Sequence, residues 1–214
     1  MFSIDVLASA NRIVAIAAHP DDIEIGCGGS LLALRRLNPA ADVRWVVLTG
    51  SDERAAEARE SARLHLGTDA ELTQHQFRDG YLPYADPAAV KDAIVSHRDG
   101  FVPELVLAPR VDDAHQDHRF LGEVVGQVYR SQTILHYEIP KYDGDLGTVN
   151  LLIALEPADV DRKIEHLFAA FPSQMTKPWF DERTFRGHMR IRGVECTSSS
   201  GYAEGFVAPK IVLG

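Results

Sequence analysis

Short apolar runs alternate with segments of helical periodicity through the first 140 residues of this 214-residue chain, and this alternation constrains the fold more than any other feature. Apolar runs with branched side chains predict strands at residues 12–18, 43–48, 72–77, 105–108 and 133–139. Apolar residues at helical spacing predict helices at residues 23–37, 53–66, 87–97 and 115–129. Because strand–helix alternation builds βαβ units, we predict an α/β fold with a Rossmann-like, mostly parallel sheet and helices on both faces.

The pattern loosens after residue 140. One helix is predicted at residues 157–171, and a polar stretch follows at residues 184–205, where His188, Arg190 and Arg192 alternate as they would along a strand. The chain length suits one domain, so we predict a single domain over residues 1–214. Within it, residues 1–140 form the Rossmann-like core, and residues 141–214 close the active-site edge and determine substrate specificity.

Composition excludes several classes of protein. The formal net charge of −9 disfavours a nucleic-acid partner, since phosphate binding needs clustered Lys and Arg. No apolar stretch approaches the roughly 20 residues needed to span a bilayer, and no basic segment precedes an apolar one at the N-terminus. Two cysteines, Cys27 and Cys196, do not make a disulfide framework. We therefore expect a cytoplasmic protein with no membrane span.

Polar clusters directly follow the first and fourth predicted strands. His19, Asp21 and Asp22 follow the first, and a second set follows the fourth: Asp112, Asp113, His115, Asp117 and His118. Ligands of parallel α/β sheets bind at the carboxyl ends of the strands, so both clusters face one crevice if these strands lie close together. Imidazole and carboxylate are zinc ligands, and a catalytic zinc uses three of them plus water.

Each cluster alone also has a structural interpretation. His-Pro-Asp-Asp is typical of a turn in which Pro fixes φ and Asp caps the next helix, and His115 and His118 could simply begin a solvated helix. Together they favour a metal site. The residues leave open whether one or both of these histidines bind the ion. One of Asp21 and Asp22 could bind it while the other holds the water, the division of roles that hydrolysis needs.

The two clusters resemble the motifs of a known family, the LmbE-like or PIG-L deacetylases. Residues 18–29 read Ala-His-Pro-Asp-Asp-Ile-Glu-Ile-Gly-Cys-Gly-Gly, and residues 115–118 read His-Gln-Asp-His. Weaker similarities occur at residues 46–49, in Arg54-x-x-Glu57, and at residues 66–67, 79–82 and 202–206. One departure is clear, because Asp113-Ala114-His115 stands where some relatives have Tyr-x-His.

The resemblance implies a role for each motif residue. His19, Asp22 and His118 would bind the metal, with zinc expected and Fe²⁺ as the alternative. Asp21 would be the general base, and His115 would stabilise the oxyanion. Asp117 would orient an imidazole. The family includes enzymes that remove acetyl groups from N-acetylglucosaminyl conjugates, and many of its members assemble, so a homo-oligomer is an open expectation.

The two polar clusters predict a metal-dependent hydrolase, and the resemblance implies that it removes the N-acetyl group from a small-molecule amino sugar or its conjugate. An amidase acting on another N-acyl or thiol conjugate is the alternative, and a non-catalytic sugar- or nucleotide-binding module is a third interpretation. Arg54, Arg110 and His188 are candidate substrate contacts. Arg54 could instead pair with Glu57 at its helix start, and Arg110 could be a solvated strand end.

Overall fold

A computed structural model describes residues 6–68 and 70–212. In these residues the chain forms one seven-stranded sheet with strand order β3-β2-β1-β4-β5-β7-β6. The strands are β1 (Arg12–Ala17), β2 (Asp42–Thr49), β3 (Glu71–Phe77), β4 (Leu105–Pro109), β5 (Thr133–Tyr137), β6 (Leu151–Ala154) and β7 (Ala203–Val207). The helices are α1 (Val6–Ser9), α2 (Asp22–Leu37), α3 (Asp52–Leu66), α4 (Pro87–Gly100), α5 (Gln116–Val128), α6 (Pro157–Ala170) and α7 (Glu182–Glu195), with a 3₁₀ turn at Pro172–Gln174.

The first five strands are parallel, and β1 lies at the centre between β2 and β4. The remaining pairs in this part of the sheet are β2 with β3 and β4 with β5. Strand β7 is antiparallel to both of its neighbours, β5 and β6. The predicted α/β class and mostly parallel sheet are confirmed, and β1 and β4 are neighbours, as convergence of the two polar clusters requires.

Both faces of the sheet are covered. In β1, Ile13 and Ala15 pack in a core with residues of α2, α3, α6 and α7, whereas Val14 and Ile16 pack in a second core with residues of α4 and α5. A strand covered on both faces carries apolar side chains at successive positions, which explains the unbroken apolar run at residues 13–18. None of the described helices is long and apolar enough to cross a membrane.

The C-terminal third differs most from the sequence prediction. Strands β6 and β7 were not predicted, and the strand expected around His188 is wrong because these residues form α7. Asp181 caps this helix by accepting a hydrogen bond from Arg183 N at 2.7 Å. Its inward positions recur at helical spacing, with Phe185, Met189 and Arg192 buried. The helical spacing of these buried positions therefore indicates the observed structure better than the alternation of basic residues does.

Helix α2 is interrupted near its start. Cys27 has non-helical dihedrals (φ −145°, ψ 17°), so a first turn beginning at Asp22 is separated from the longer segment. A buried ion pair joins the two parts: Lys163 Nζ donates to Ile25 O at 2.7 Å and to Glu204 Oε1 at 2.6 Å. Glu204 in turn accepts from Gly29 N and from both N and Oγ of Ser30. The pair thus supplies partners for backbone groups that the interruption leaves without helical ones.

Candidate metal centre

The turn after β1 presents its carboxylates to the end of the sheet. Asp22 Oδ2 accepts a hydrogen bond from His19 N at 2.8 Å, which fixes the turn. Asp21 has φ 103°, in the left-handed region that non-glycine residues rarely adopt. Its side chain makes no capping hydrogen bond, and instead Asp21 Oδ1 lies 2.9 Å from Arg54 Nη2. The capping interpretation of Asp21 is therefore wrong, and a strained backbone aims this carboxylate at the cavity.

The segment after β4 brings in two further imidazoles. His115 occupies the N-cap of α5, and its Nδ1 accepts from Asp117 N at 3.3 Å. His118 follows on the first helical turn. Its Nδ1 lies 3.3 Å from Asp113 Oδ2, and Lys141 Nζ lies 3.0 Å from Asp113 Oδ1. A carboxylate facing Nδ1 orients this ring and leaves Nε2 free to act as a ligand atom.

The two segments meet at one point. His19 Nδ1 is 3.0 Å from His118 Nε2, and the Asp22 oxygens are 3.3 Å from His118 Nε2 and 3.6 Å from His19 Nδ1. Tetrahedral zinc with bonds of about 2.0–2.1 Å keeps its ligand atoms about 3.3 Å apart. Ligand atoms of His19, His115 and His118 also lie within 4.8 Å of one another. The spacing and the chemistry of these donors therefore fit a divalent transition-metal ion.

The pKa values of His118 and His19 also indicate that this position favours a positive charge. Burial lowers the pKa of His118, but the carboxylates of Asp22 and Asp113 outweigh burial and raise it to about 9. Burial acts in the same way on His19, whose pKa is nevertheless raised well above 6.5 by Asp22 and Asp117. A bound cation would take the place of these protons, since metal ligands must be deprotonated.

Two further carboxylates, those of Asp117 and Asp79, contact Nε2 of His19. Asp117 is fully buried and accepts from Gly80 N at 2.8 Å and from Leu82 N at 3.1 Å. Its Oδ2 lies 3.3 Å from His19 Nε2, and Asp79 Oδ1 lies 3.2 Å from the same atom. Asp117 therefore contacts the imidazole of His19, in keeping with what the family resemblance implies. Asp79 carried only the weak signal of residues 79–82.

These side chains line a cavity of about 200 Å³. Residues 1–140 contribute His19, Asp21, Asp22 and His118, and also Arg54, Asp79 and His115. The C-terminal segment contributes Lys141, Tyr142, Asp143, Gln174, Lys177 and Trp179. None of these six was found from the sequence, because they lie in turns without periodicity or a chemical motif.

The three predicted substrate contacts have different positions. Arg54 lines the cavity, and the bridge to Glu57 considered for it is wrong because Glu57 accepts hydrogen bonds from Ser173. The predictions that Arg110 and His188 face the cavity are also wrong. Both point inward to the buried Glu138, whose oxygens lie 3.2 Å from Arg110 Nη1 and 3.1 Å from His188 Nε2. A buried carboxylate is stable only with such partners, and Arg110 is held in addition by Asp112, which accepts hydrogen bonds from its Nε at 2.8 Å and its Nη2 at 2.6 Å.

The sheet is Rossmann-like, and imidazoles and carboxylates lie at the carboxyl ends of its neighbouring strands. These features define an α/β protein with a candidate metal centre. The family model described as "PIG-L: GlcNAc-PI de-N-acetylase" matches residues 14–129, more than half of the chain. The chain belongs to the PIG-L family. It is also 33% identical over 148 residues to the uncharacterized deacetylase YaiS of Escherichia coli K12, covering 63% of this chain and 79% of that protein.

Solved structures share the fold. The conserved protein TT1542 of Thermus thermophilus has a TM-score of 0.77 at 24% identity, covering 94% of this chain and 96% of its own. The N,N'-diacetylchitobiose deacetylase of Pyrococcus horikoshii has a TM-score of 0.68 at 22% identity, with coverages of 94% and 84%. GalB, the 4-carboxy-2-hydroxymuconate hydratase of Pseudomonas putida KT2440, has a TM-score of 0.76 at 16% identity, with coverages of 95% and 98%. Because deacetylases and a hydratase share it, the fold alone does not select the reaction.

Proposed function

We propose that this chain is a metal-dependent N-deacetylase that hydrolyses the N-acetyl group of an acetylated amino sugar or its conjugate. The observation that carries the proposal is the approach of His19 Nδ1, Asp22 and His118 Nε2 to within 3.6 Å of one another. Asp21 and His115 stand beside them in the same cavity, free for chemistry. Membership of a deacetylase family supports the reaction type.

His19, Asp22 and His118 would hold the ion, with Zn²⁺ favoured and Fe²⁺ as the alternative, since both accept imidazole and carboxylate ligands. When bound, a divalent ion lowers the pKa of a water molecule to about 7 and polarises the acyl carbonyl. Asp113 and Asp117 would act as positioning residues, each placed against the far nitrogen of one ligand imidazole.

Asp21 would be the general base. Burial raises its pKa to about 6, against the opposing attraction of Arg54. A carboxylate with this pKa is ionised at neutral pH yet accepts a proton more readily than an ordinary aspartate. It would take a proton from the attacking water and return it to the departing amine. Arg54, 2.9 Å from Asp21 Oδ1, would hold the carboxylate in place.

His115 would stabilise the oxyanion. Burial lowers the pKa of His115 below 6.5, so the ring is neutral at pH 7. Because its Nδ1 accepts a hydrogen bond from Asp117 N, the ring proton resides on Nε2. The Nε2–H group can then donate to the oxygen that becomes negative as water adds to the acyl carbon. Some relatives have a tyrosine where this chain has Asp113. Asp113 contacts His118, so we assign the oxyanion role to His115.

The size of the cavity supports a small acyl group. Its volume of about 200 Å³ lies below the roughly 300–1,000 Å³ typical of sites that enclose drug-sized ligands. An acetyl group and part of one sugar ring occupy such a space, whereas a long acyl chain would extend into solvent. This favours deacetylation over the amidase alternative with a larger acyl substrate.

Metal dependence is the first test of the proposal. The protein is stripped with a chelator, reloaded with Zn²⁺ or Fe²⁺, and assayed for acetate release from N-acetylglucosamine, N-acetylated disaccharides and long-acyl amines. We expect acetate release only after reloading, with little hydrolysis of the long-acyl compounds. Sugar binding by a protein that contains no removable metal and releases no acetate would support a non-catalytic binding module.

Asp21→Asn separates the base from the ligands. The variant should retain the metal content of the wild type, because Asp21 is not assigned as a ligand, and should lose about 10²–10⁴-fold in kcat. Asp92→Asn, an exposed aspartate on α4, is the matched control and should leave both quantities unchanged. Near-normal turnover of Asp21→Asn would show that another group is the base. Loss of its metal would assign Asp21 to coordination instead.

A further inference from the structure

Two aromatic side chains of the C-terminal segment form one wall of the cavity. Tyr142 and Trp179 both line it, and their ring centroids lie 6.4 Å apart with an interplanar angle of 77°. Tyr142 is 72% exposed, so most of its ring is not covered by the protein. Exposed aromatic surface beside a reactive centre is typical of a ligand-contacting surface.

The Trp179 side of this wall is anchored to the core. Trp179 packs edge-on against the buried Phe180 at a centroid distance of 5.7 Å. The 3₁₀ turn that precedes it is fixed to α3, because Glu57 accepts hydrogen bonds from Ser173 N at 2.8 Å and from Ser173 Oγ at 2.7 Å. A ligand that contacts the Trp179 ring therefore meets a preformed surface and need not order it first.

The charges around the wall favour a neutral ligand. Two cations of the cavity are engaged, Arg54 with Asp21 and Lys141 with Asp113 and Asp145. Lys177 has no carboxylate within ion-pair distance in the part of the chain that the structure describes, but its Nζ lies 5.7 Å from the centroid of the Trp179 ring. Asp143 contributes one exposed carboxylate to the same cavity, whereas Asp79 is engaged with His19. Among the described residues, the unpaired charges at the wall are therefore one ammonium and one carboxylate, which together give no net attraction for an anionic group.

We propose that Tyr142 and Trp179 form a subsite for a second, uncharged sugar ring next to the acetylated one. This inference rests on the proposed function and names its substrate class as N-acetylated disaccharides or longer glycosides. The apolar C–H face of a pyranose covers aromatic carbon, while hydroxyl groups at its edge can hydrogen-bond to Asp143 and Lys177. Because the whole cavity is small and Tyr142 is largely exposed, the second ring would extend along this aromatic surface toward solvent.

The two tryptophans of the chain allow a direct binding test. Trp45 is 1% exposed in the core, whereas Trp179 lies on the proposed subsite, so ligand-induced changes in fluorescence report Trp179. The metal-loaded Asp21→Asn protein is titrated with N,N'-diacetylchitobiose, N-acetylglucosamine and N-acetylglucosamine 1-phosphate. We expect the disaccharide to change the fluorescence with a Kd about tenfold or more below that of either monosaccharide, and Trp179→Phe to lose the signal.

Variants then test the aromatic wall by calorimetry. Tyr142→Ala and Trp179→Ala should each weaken disaccharide binding by about tenfold and leave N-acetylglucosamine binding within about twofold. Tyr84→Ala is the matched control, since Tyr84 is 68% exposed but does not line the cavity, and it should change neither affinity. Tyr142→Ala is the decisive variant, because its exposed side chain contributes little to the core.

Three results would overturn the subsite: equal affinity for the disaccharide and N-acetylglucosamine, tighter binding of the phosphorylated monosaccharide, or no effect of Tyr142→Ala on disaccharide binding. Failure of the proposed function is a separate outcome, because it appears as absence of acetate release from every acetylated compound. Acetate release from N-acetylglucosamine without a preference for the disaccharide would reject the subsite and retain the deacetylase.

Discussion

Lys163 and Glu204 form a buried ion pair across the interruption in α2, and Lys163→Met should destabilise the protein strongly. The Nζ–Oε1 distance is 2.6 Å, and both side chains are only 2% exposed. The substitution leaves the Glu204 carboxylate buried without its cation and removes a donor from the Ile25 carbonyl. Both losses act on the segment that begins with Asp22, which is assigned to the metal.

The size of the effect follows from these contacts. Removing one partner of a buried ion pair costs about 3–5 kcal/mol, because an uncompensated charge stays in the interior. Glu204 keeps three hydrogen bonds from Gly29 and Ser30, which places the expected loss for Lys163→Met near 3 kcal/mol, at the lower end of that range. That is a large share of the about 5–15 kcal/mol that stabilises a typical domain.

Urea unfolding of the metal-free protein at pH 7.5 measures this cost. The midpoint should fall with an unchanged m-value in Lys163→Met. The double variant Lys163→Met/Glu204→Gln should be less destabilised than the sum of the two single variants by about 2 kcal/mol, since neither charge is left alone. Arg63→Met, which breaks the exposed pair with Glu60, is the control and should leave the midpoint unchanged.

Two results would refute this reasoning. The first is a loss below about 1 kcal/mol for Lys163→Met, which would mean that the pair is hydrated or easily replaced. The second is strict additivity in the double variant, which would mean that the two side chains act on the helix independently.

The remaining predictions concern pH and the metal. Burial lowers the pKa of His65 to about 3, so this ring stays neutral in the folded state while it protonates at about 6.5 in the unfolded one. The stability it contributes is present above pH 6.5 and is lost as the pH falls. Between pH 7 and 5 the loss is about 2 kcal/mol, and His65→Met should reduce the decline in the free energy of unfolding, measured with urea, by that amount. Asp113→Asn should weaken Zn²⁺ binding by about 10–100-fold in a competition titration, because Asp113 lies 3.3 Å from His118 Nδ1. An unchanged affinity would remove Asp113 from the site.

Much of the core could be predicted from sequence because its signals are local. In β1 and β4, runs of apolar residues mark strands that are covered on both faces, and Gly67 ends α3 where the helical pattern stops. The C-terminal third has weaker signals. Strand β6 is four residues long and carries partly exposed side chains. Strand β7 contains Glu204, whose burial depends on its distant partners Lys163, Gly29 and Ser30.

The contacts of charged side chains could not be predicted from the sequence either. Arg110 and His188 have the residue types of substrate contacts, and no pattern around them indicates that Glu138 will take both. Arg54 carried only a weak family similarity, and it faces the cavity because Asp21 lies within ion-pair distance. Which carboxylate an arginine meets depends on segments far apart in the chain.

The local apolar pattern alone places the imidazoles and carboxylates of residues 19–22 and 115–118 directly after strands. That these two segments meet follows only from the fold, because β1 and β4 are adjacent although about ninety residues separate them. The fold also sets what surrounds them. Packing of the C-terminal segment on the core brings Tyr142 and Trp179 to the cavity, and such long-range packing leaves no period or motif in the sequence.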